Sequence, residues 1–129
     1  MAAAALITNS FVVVALIVLI SLLITKGYCA CTLNDIHVGG ARTGNMVGGK
    51  PEWKVTVSNG CKCRQYNIEL ACKGFQTTEP VDISILNKQG DTCLFLSGNP
   101  LEGSNSITFY YSWDTPFTLI PVSSDIDPC

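Results

Sequence analysis

Residues 53–72 read WKVTVSNGCKCRQYNIELAC, and this stretch holds the clearest fold signal in the chain. Apolar and polar residues alternate on both sides of Asn59-Gly60, which is the period of a half-buried β-strand. Asn-Gly between two alternating runs is a strong signal for a β-hairpin. The predicted hairpin places Trp53 opposite Tyr66, Val55 opposite Arg64 and Val57 opposite Lys62.

The two-residue period recurs after Cys31, and no stretch there keeps an apolar period of 3.6 residues. We therefore predict about seven strands, near residues 33–38, 53–57, 66–72, 81–85, 93–96, 107–113 and 117–119. Turn signals separate them at residues 87–91 and 98–100, and Pro116 with Pro121 favours an edge strand between the two prolines. Short strands with such turns predict an all-β domain, an antiparallel β-sandwich or a barrel-like variant of it.

Residues 39–50, GGARTGNMVGGK, have five glycines in twelve positions and predict a mobile loop between the first two strands. A phosphate-binding loop is the alternative, but it needs a following helix and a Gly-Lys-Ser/Thr ending. Here Gly49-Lys50 is followed by Pro51 and a predicted strand. Long exposed loops are nevertheless common places for binding residues.

The first 30 residues have the features of an export signal. Residues 11–24, FVVVALIVLISLLI, are apolar at 13 of 14 positions and uncharged. That length fits a signal peptide and is short of the roughly 20 residues of a membrane-spanning helix. We predict cleavage after Cys29 or Ala30, which gives a signal peptide over residues 1–30 and a secreted, extracellular cysteine-rich β domain over residues 31–129. An uncleaved signal anchor is the alternative, since no Lys or Arg precedes the apolar run.

Either cleavage leaves six of the seven cysteines, an even number that predicts three disulfides in a small secreted domain. They are Cys31, Cys61, Cys63, Cys72, Cys93 and Cys129. Sequence alone leaves all pairings open except one. Cys61 and Cys63 would lie about 7 Å apart on one face of an extended chain, too far for a mutual bridge. A metal or redox site at Cys61-Lys62-Cys63 is the alternative, disfavoured by the short spacing and the lack of a nearby histidine.

Charge and histidine content exclude several function classes. A net charge of −2 leaves no basic footprint for nucleic acid. The single histidine, His37, excludes a histidine-rich metal site. His37 and Asp35 share a predicted strand face, which would allow at most a two-residue dyad. Two solvent-facing residues explain the pattern more simply. The close carboxylate pairs are predicted to be solvated rather than catalytic: Glu79 with Asp82, and Asp125 with Asp127. No catalytic constellation or cofactor motif is found, so we predict a protein that is not an enzyme and uses no cofactor or metal.

The stretch Gly49 to Asp82, GKPEWKVTVSNGCKCRQYNIELACKGFQTTEPVD, resembles the plant TAPETUM DETERMINANT 1-like family of small secreted cysteine-rich proteins. Further matches are Cys31 with Asp35-Ile36, Gly90-Asp91-x-Cys93-Leu94, Tyr111-Ser112-Trp113-Asp114 and Cys129. The resemblance implies a signalling ligand that is perceived by a leucine-rich-repeat receptor kinase and specifies tapetal cell fate in the anther. It also supports the six cysteines as a disulfide set. Better-known members carry an additional segment before the cysteine-rich domain, so processing of that segment is not implied here.

Two functions from different classes follow. The first is a ligand that docks on a receptor ectodomain and reaches the membrane only through that receptor. The second is a carbohydrate-binding module of the plant cell wall, like the sugar-binding domain of expansins, which should expose a row of coplanar aromatics on one sheet face. The alternating aromatics are predicted to fill the core instead, which favours the ligand; they are Trp53, Tyr66, Phe109, Tyr111 and Trp113. Tyr110 is out of phase with them and is predicted to be exposed.

The predicted contact surface for a receptor consists of Arg42 and Lys50 in the glycine-rich segment and the outward-facing Lys54. Arginine is favoured at such contacts because its guanidinium binds carboxylates in a bidentate manner. The hydrophilic segment Gly98–Asn105 is predicted to be a second protruding tip. The sheet face that bears Asn67 and Glu69 is the alternative contact surface.

Overall fold

The computed structural model describes residues 30–129 and, before them, Val13 alone. The predicted signal peptide therefore lies almost wholly outside the described residues. No helix in the described part of the chain is long and apolar enough to cross a bilayer.

Two antiparallel sheets hold the seven strands of the described chain. The strands are β1 (Ile36–Val47), β2 (Lys50–Asn59), β3 (Gln65–Ala71), β4 (Leu86–Gln89), β5 (Thr92–Phe95), β6 (Ser106–Ser112) and β7 (Ile120–Ile126). One sheet has the order β1-β2-β6 and the other β4-β5-β3-β7. Short 3-10 turns lie at Leu33–Asp35 and Leu96–Gly98. The predicted all-β antiparallel sandwich of about seven strands is confirmed.

The core consists of the inward-facing residues of both sheets, as alternation requires. The three-stranded sheet contributes Val55, Val57, Phe109 and Tyr111, and the other sheet contributes Ile68, Leu70, Cys93 and Phe95. Phe75 and Phe117 pack against Tyr111 with ring centroids 5.3 and 5.8 Å away. The Tyr111 hydroxyl accepts a hydrogen bond from the Phe117 amide at 2.8 Å, so its buried oxygen is satisfied.

The aromatic residues predicted for the core divide into three groups. Phe109 and Tyr111 are buried, as predicted. Trp53 and Trp113 are half-buried and pack against the edge of the core. Tyr66 is half-buried and lies outside the core cluster, because a register shift between Tyr66 and Glu69, where Asn67 has a φ of 48°, takes it off the face of β3 that carries the core residues.

The glycine-rich segment 39–50 is not a mobile loop, so that prediction is wrong. Its residues form most of β1 and the tight turn into β2, with a register shift between Arg42 and Met46. Gly48 and Gly49 both have positive φ, 59° and 77°, as a two-residue hairpin turn needs. Gly48-Gly49 is therefore the hairpin turn, and the glycine-rich residues before it belong to a long strand.

Asn59-Gly60 is not a hairpin turn, so the predicted pairing of β2 with β3 is also wrong. β2 pairs with β1 and β6, and the chain leaves Asn59 for the other sheet. Asn59 is only 1% exposed. Its Nδ2 donates to the carbonyls of Cys63 (2.8 Å) and Leu101 (3.1 Å), and its Oδ1 accepts from the Cys61 amide (3.1 Å). The side chain therefore holds a corner between the sheets.

The six predicted cysteines form three disulfides, Cys31–Cys61, Cys63–Cys129 and Cys72–Cys93, with Cα atoms 5.5 to 5.8 Å apart. Cys61 and Cys63 have different partners, as predicted. Cys31–Cys61 and Cys63–Cys129 join the corner after Asn59 to the first and last residues of the domain. Cys72–Cys93 joins the residue after β3 to β5.

Two of the predicted strands are misplaced, and the first begins at Ile36 instead of residue 33 because Leu33–Asp35 forms a 3-10 turn. Residues 81–85 form a turn before β4, and Ile83 is 72% exposed. The Asp82 side chain accepts from the Ser84 amide at 2.9 Å, and its carbonyl accepts from the Ile85 amide at 2.9 Å. Such a local Asx turn competes successfully with strand formation. Residues 117–119 are not in a strand, and the edge strand β7 begins only at Ile120, so that Pro121 lies inside it instead of bounding it.

Candidate functional site

Two of the three predicted contact cations lie over tryptophan rings near the β1–β2 turn. The Arg42 guanidinium carbon is 5.7 Å from the centroid of Trp53, and Lys50 Nζ is 5.2 Å from that of Trp113. Trp53 donates its indole N–H to the Trp113 carbonyl at 3.0 Å, which joins the two pairs. Each cation thus makes a cation–π contact with a half-buried ring, which stabilises a cation at the surface by about 0.5–1 kcal/mol.

The carboxylates near these cations are unevenly distributed. Lys50 forms an ion pair with Asp114, with Nζ 2.6 Å from Oδ2. Among residues 30–129, no carboxylate lies within ion-pair distance of Arg42 or Lys54. Those two cations are therefore available to a partner, whereas Lys50 would have to exchange Asp114 for it.

Lys54 lies on the outward face of β2, directly opposite Tyr110 of β6. Both line a shallow, open cavity of roughly 460 Å³ that Arg42 also borders. Tyr110 is 42% exposed, in agreement with its out-of-phase position in the sequence. The structure therefore brings Arg42, Lys50 and Lys54 to one end of the three-stranded sheet, although not to a single face.

Two carboxyl groups meet on the floor of this cavity. Glu52 of β2 is only 9% exposed and Glu79 is half-buried. Glu52 Oε1 accepts from Thr43 Oγ1 at 2.8 Å and from Asn45 Nδ2 at 3.3 Å. Glu79 Oε2 accepts from Ser112 Oγ at 3.0 Å. Ser112 brings the two side chains to the same place, because it pairs with Glu52 across β2 and β6 and its hydroxyl donates to Glu79.

The environment moves the pKa values of these two carboxyls in opposite directions. Desolvation and the hydrogen bond from Glu52 raise the pKa of Glu79. The hydrogen bonds from Thr43, Glu79 and Asn45 lower the pKa of Glu52. Two carboxyls in contact cannot both ionise without repulsion, so the pair holds one proton more tightly than two separate glutamates would.

Residues 77–79, which we call the strap, carry Glu79 to this position. The Thr78 amide donates to the Ser112 carbonyl at 2.9 Å, and the Thr77 hydroxyl accepts from the Ser112 amide at 2.9 Å. Thr78 Oγ1 donates to the Val47 carbonyl at 2.7 Å. The strap therefore ties the free edge of β6 to the end of β1.

The sequence analysis missed this pair, since it treated Glu79 as a solvated surface group, whereas the structure shows it half-buried in the same cavity as Glu52. Glu52 and Glu79 are separated by a strand, a corner and half of another sheet, so no local spacing signals their contact. Glu52 lies on the outward face of β2, two residues before Lys54. Its burial arises only because the strap covers it.

The other predicted contacts have mainly structural roles. Segment Gly98–Asn105 is not a free tip, since Leu101 is buried and Ser104 donates to the carbonyls of Asn59 and Cys61. Asp35 accepts from the Thr32 amide at 2.8 Å as part of a helix cap, so it is not available for a dyad with His37.

The alternative contact face on the four-stranded sheet carries its own polar network. Asn67 donates to Asp125 at 2.8 Å, and Ser123 donates to Glu69 at 3.2 Å. These residues border a shallow cavity of roughly 350 Å³. The face is acidic, in contrast to the cationic end of the other sheet.

The sulfur atoms of Cys31, Cys61 and Cys63 lie within 4.8 Å of one another, close enough to bind one metal ion. All three are bonded in disulfides. A disulfide sulfur is not a thiolate ligand, so this cluster is part of the disulfide-bonded corner after β2.

Comparison with protein families gives a match to "Tapetum determinant 1, C-terminal" over residues 29–127, which includes both sheets and five of the six bridged cysteines. The chain belongs to this Tapetum determinant 1 family. The resemblance seen in the sequence is thereby confirmed, and no solved structure matches the chain.

Relatives of the Tapetum determinant 1 family are modestly similar. An uncharacterized protein of Arabidopsis thaliana is 31% identical over 75 residues, which cover 56% of this chain and 59% of the relative. TPD1 protein homolog 1 of the same plant is 28% identical over 98 residues, 72% of this chain and 55% of the relative. TPD1 protein homolog 1A of Oryza sativa subsp. japonica is 27% identical over 95 residues, 67% of this chain and 42% of the relative. The chain thus matches about half of the length of these relatives.

Proposed function

We propose that this protein is a secreted signalling ligand that a plant leucine-rich-repeat receptor kinase perceives, and that it acts in cell-fate specification as the family resemblance implies. Membership of the Tapetum determinant 1 family is the observation that carries this proposal. The three disulfides support it as well, because such bridges persist in oxidising compartments outside the cytosol.

The contact surface in this proposal is the cationic end of the three-stranded sheet, formed by Arg42, Lys50 and Lys54. Arg42 and Lys54 have no intramolecular carboxylate partner within residues 30–129. The net charge of the chain is −2, so a cationic end gives the molecule a preferred orientation toward an acidic receptor surface. The adjoining tryptophans supply apolar area that could be buried with the cations.

The carbohydrate-binding alternative is less well supported. On the outward face of the three-stranded sheet, the only aromatic among the described residues of its strands is Tyr110. One ring does not form the coplanar row that a polysaccharide chain would stack on. The other aromatics of these strands face the core or support cations.

The test is a parallel pull-down of the secreted, oxidised protein against receptor ectodomains and against cell-wall polysaccharides. The proposal expects saturable binding to a receptor ectodomain that reduction of the disulfides abolishes. Binding to polysaccharide alone would replace it with the carbohydrate-binding function.

The double substitution Arg42→Glu/Lys50→Glu tests the contact surface. It should weaken receptor binding more than tenfold, which corresponds to about 1.4 kcal/mol or more. The fold should change little, because exposed ion pairs such as Lys50–Asp114 contribute only about 0–1 kcal/mol. Lys62→Glu/Lys73→Glu is the matched control, with the same charge change at exposed positions elsewhere. Equal affinities of the two variants for a confirmed receptor would move the site to the face of Asn67 and Glu69.

A further inference from the structure

We propose that the free edge of β1, from Val38 to Arg42, binds an extended segment of another protein chain, which adds to the sheet as an antiparallel strand. This segment carries a large apolar residue opposite Gly40 and, two positions before it, a carboxylate opposite Arg42. The site shares only Arg42 with the contact surface of the proposed function. The inference rests on the domain alone and not on the identity of a receptor.

Among the four sheet edges of the described chain, that of β1 is the unprotected one. The strand orders make β1, β6, β4 and β7 the edges. The strap covers the end of β6 at Ser112, β4 is only four residues long, and β7 contains Pro121. Coverings, short strands and prolines are common ways in which proteins prevent an edge from pairing with another chain. Residues 36–42 have none of these and keep a regular register with β2.

The hydrogen-bond register shows which backbone groups of β1 point to the free edge. The Gly60 amide donates to the Asp35 carbonyl at 2.8 Å, one step before the aligned pair Ile36–Asn59. Asn59 donates in the opposite direction, to the Asn105 carbonyl beside β6 at 2.9 Å. Because bonded and non-bonded pairs alternate in an antiparallel ladder, every second residue of β1 directs its N–H and C=O away from β2: Val38, Gly40 and Arg42. No backbone group elsewhere in residues 30–129 bonds to these three, so six groups are available to a partner strand.

An apolar cleft of roughly 370 Å³ lies beside this edge, between the two sheets. Val38 and Gly40 line it together with residues 116–121, which lead into β7, and with Val55 and Tyr111 of the core. Gly40 has the inward phase of Val38, which packs against the core, but it has no side chain to place there. A Cβ added at Gly40 would meet only the Lys54 carbonyl oxygen, at 3.9 Å. Position 40 therefore leaves space for a side chain from outside.

An added strand would direct one side chain into that space. Side chains of directly opposed residues in an antiparallel pair lie on the same face of the sheet. The residue opposite Gly40 therefore points into the cleft, where the surrounding residues are apolar. A leucine-sized side chain gains about 1.5–3 kcal/mol by full burial in such an environment. The residue opposite Val38 has the same phase and is expected to be apolar as well.

Arg42 determines the charge of the segment. Its guanidinium lies over the Trp53 ring, and no carboxylate within residues 30–129 is at ion-pair distance from it. A carboxylate directly opposite Arg42 makes a favourable cross-strand pair and accepts two parallel hydrogen bonds from the guanidinium. In the antiparallel direction the recognised pattern is acidic-x-apolar-x-apolar.

A second copy of this chain fits the edge less well. The twelve residues of β1, Ile36–Val47, contain no Asp or Glu, so that Arg42 would lack its carboxylate in every register. In the two-fold pairing centred on Gly40, two glycines oppose each other and the cleft stays empty. Charge and shape therefore both favour a different chain as the partner.

The direct test is an NMR titration of the oxidised protein with the acetylated, amidated peptide Thr-Glu-Thr-Leu-Thr-Val-Thr. Its Leu is designed to lie opposite Gly40 and its Glu opposite Arg42. The peptide should bind saturably, and amide exchange at Val38, Gly40 and Arg42 should slow, because these amides gain partners. The absence of saturable shifts up to about 5 mM peptide would overturn the inference.

Two altered peptides separate strand addition from simple apolar binding. N-methylation of the Leu amide removes the donor that faces Gly40 and should abolish binding, although the apolar side chain remains. Replacing Glu by Lys in the peptide should weaken binding more than threefold, and Arg42→Gln should remove that preference. Equal binding of the N-methylated and unmodified peptides would show that no strand is added and would overturn the inference.

The variant Gly40→Val tests the cleft. Its side chain occupies the space meant for the peptide Leu and keeps the Gly40 amide, so peptide binding should fall about tenfold or more. Ala41→Val is the matched control, because it places the same side chain on the outward face of β1, and it should bind within about twofold of the unmodified protein. Thermal unfolding should show that both variants are folded, since β-branched residues are favoured in strands. Unchanged peptide affinity in a folded Gly40→Val variant would refute the site.

The remaining outcomes separate this inference from its rivals and from the proposed function. Concentration-dependent protection of the Val38, Gly40 and Arg42 amides without peptide would identify a second copy as the partner and overturn the assignment to a different chain. Peptide binding with the expected preferences supports the inference even if no receptor ectodomain binds, because the peptide contains no receptor sequence. Receptor binding without peptide binding would leave the proposed function standing and overturn the edge site.

Discussion

Replacing Asn59 by alanine should destabilise the domain strongly, because this one side chain holds the corner between the two sheets. Its three hydrogen bonds run to the backbone of Cys61, Cys63 and Leu101. The Leu101 carbonyl keeps a second partner, the amide of Gln65 at 3.1 Å. The amide of Cys61 and the carbonyl of Cys63 would lose the partner that the structure gives them.

The magnitude follows from that count. Each lost hydrogen bond costs about 1 kcal/mol, and a buried group without a partner costs about 1–3 kcal/mol. With three bonds lost and partial access of water to the corner, we expect about 3 kcal/mol. In a domain of this size such a loss lowers Tm by roughly 12–24 °C.

The assay is urea or guanidinium unfolding of the oxidised protein, followed by thermal unfolding. Ser58→Ala is the matched control, since the neighbouring hydroxyl makes a single bond of 3.5 Å to the His37 carbonyl and should matter by less than about 0.5 kcal/mol. Asn59→Asp should be worse than Ser58→Ala despite its shape, because a carboxylate would face two carbonyls. A loss of less than about 1 kcal/mol in the free energy of unfolding for Asn59→Ala would refute the proposed role of this side chain in the corner. It would favour a solvated turn at Asn59-Gly60.

Two further predictions concern the disulfides and the core. Peptide mapping of the oxidised protein should recover the three disulfide pairs, and Cys72→Ala/Cys93→Ala should cost about 3 kcal/mol by loop-closure entropy. Two or more free thiols, or a stability equal to that of the unmodified protein, would contradict this. Tyr111→Phe removes the bond to the Phe117 amide and should cost about 1 kcal/mol while the ring packing survives. Amide exchange at Phe117 should then accelerate in the variant, and an unchanged rate would show that the hydroxyl does not hold this segment.

The sequence alone was enough for the class of the fold. Alternation of apolar and polar residues is a local pattern that places Val55, Val57, Phe109 and Tyr111 on one face whatever the strands pair with. The even cysteine count likewise predicts three bridges without saying which pairs form. Exposure of Tyr110 follows from phase in the same way.

Strand partners and turn positions were decided by tertiary structure. Asn-Gly at 59–60 and Gly-Gly at 48–49 are both good hairpin signals, and the choice between them depends on which sheet each strand enters. Asn59 is more stable inside the corner because it satisfies three backbone groups there that no turn would offer it. The glycine-rich segment could be extended because β2 lies beside it along most of its length.

The contact of Glu52 with Glu79 belongs wholly to the tertiary structure. The sequence shows that both are acidic residues, but it gives no signal that they meet. Whether two such carboxyls come close to each other depends on contacts between residues that are far apart in the chain. They come together only because β6 and the strap meet at Ser112, a tertiary contact that no local sequence pattern predicts.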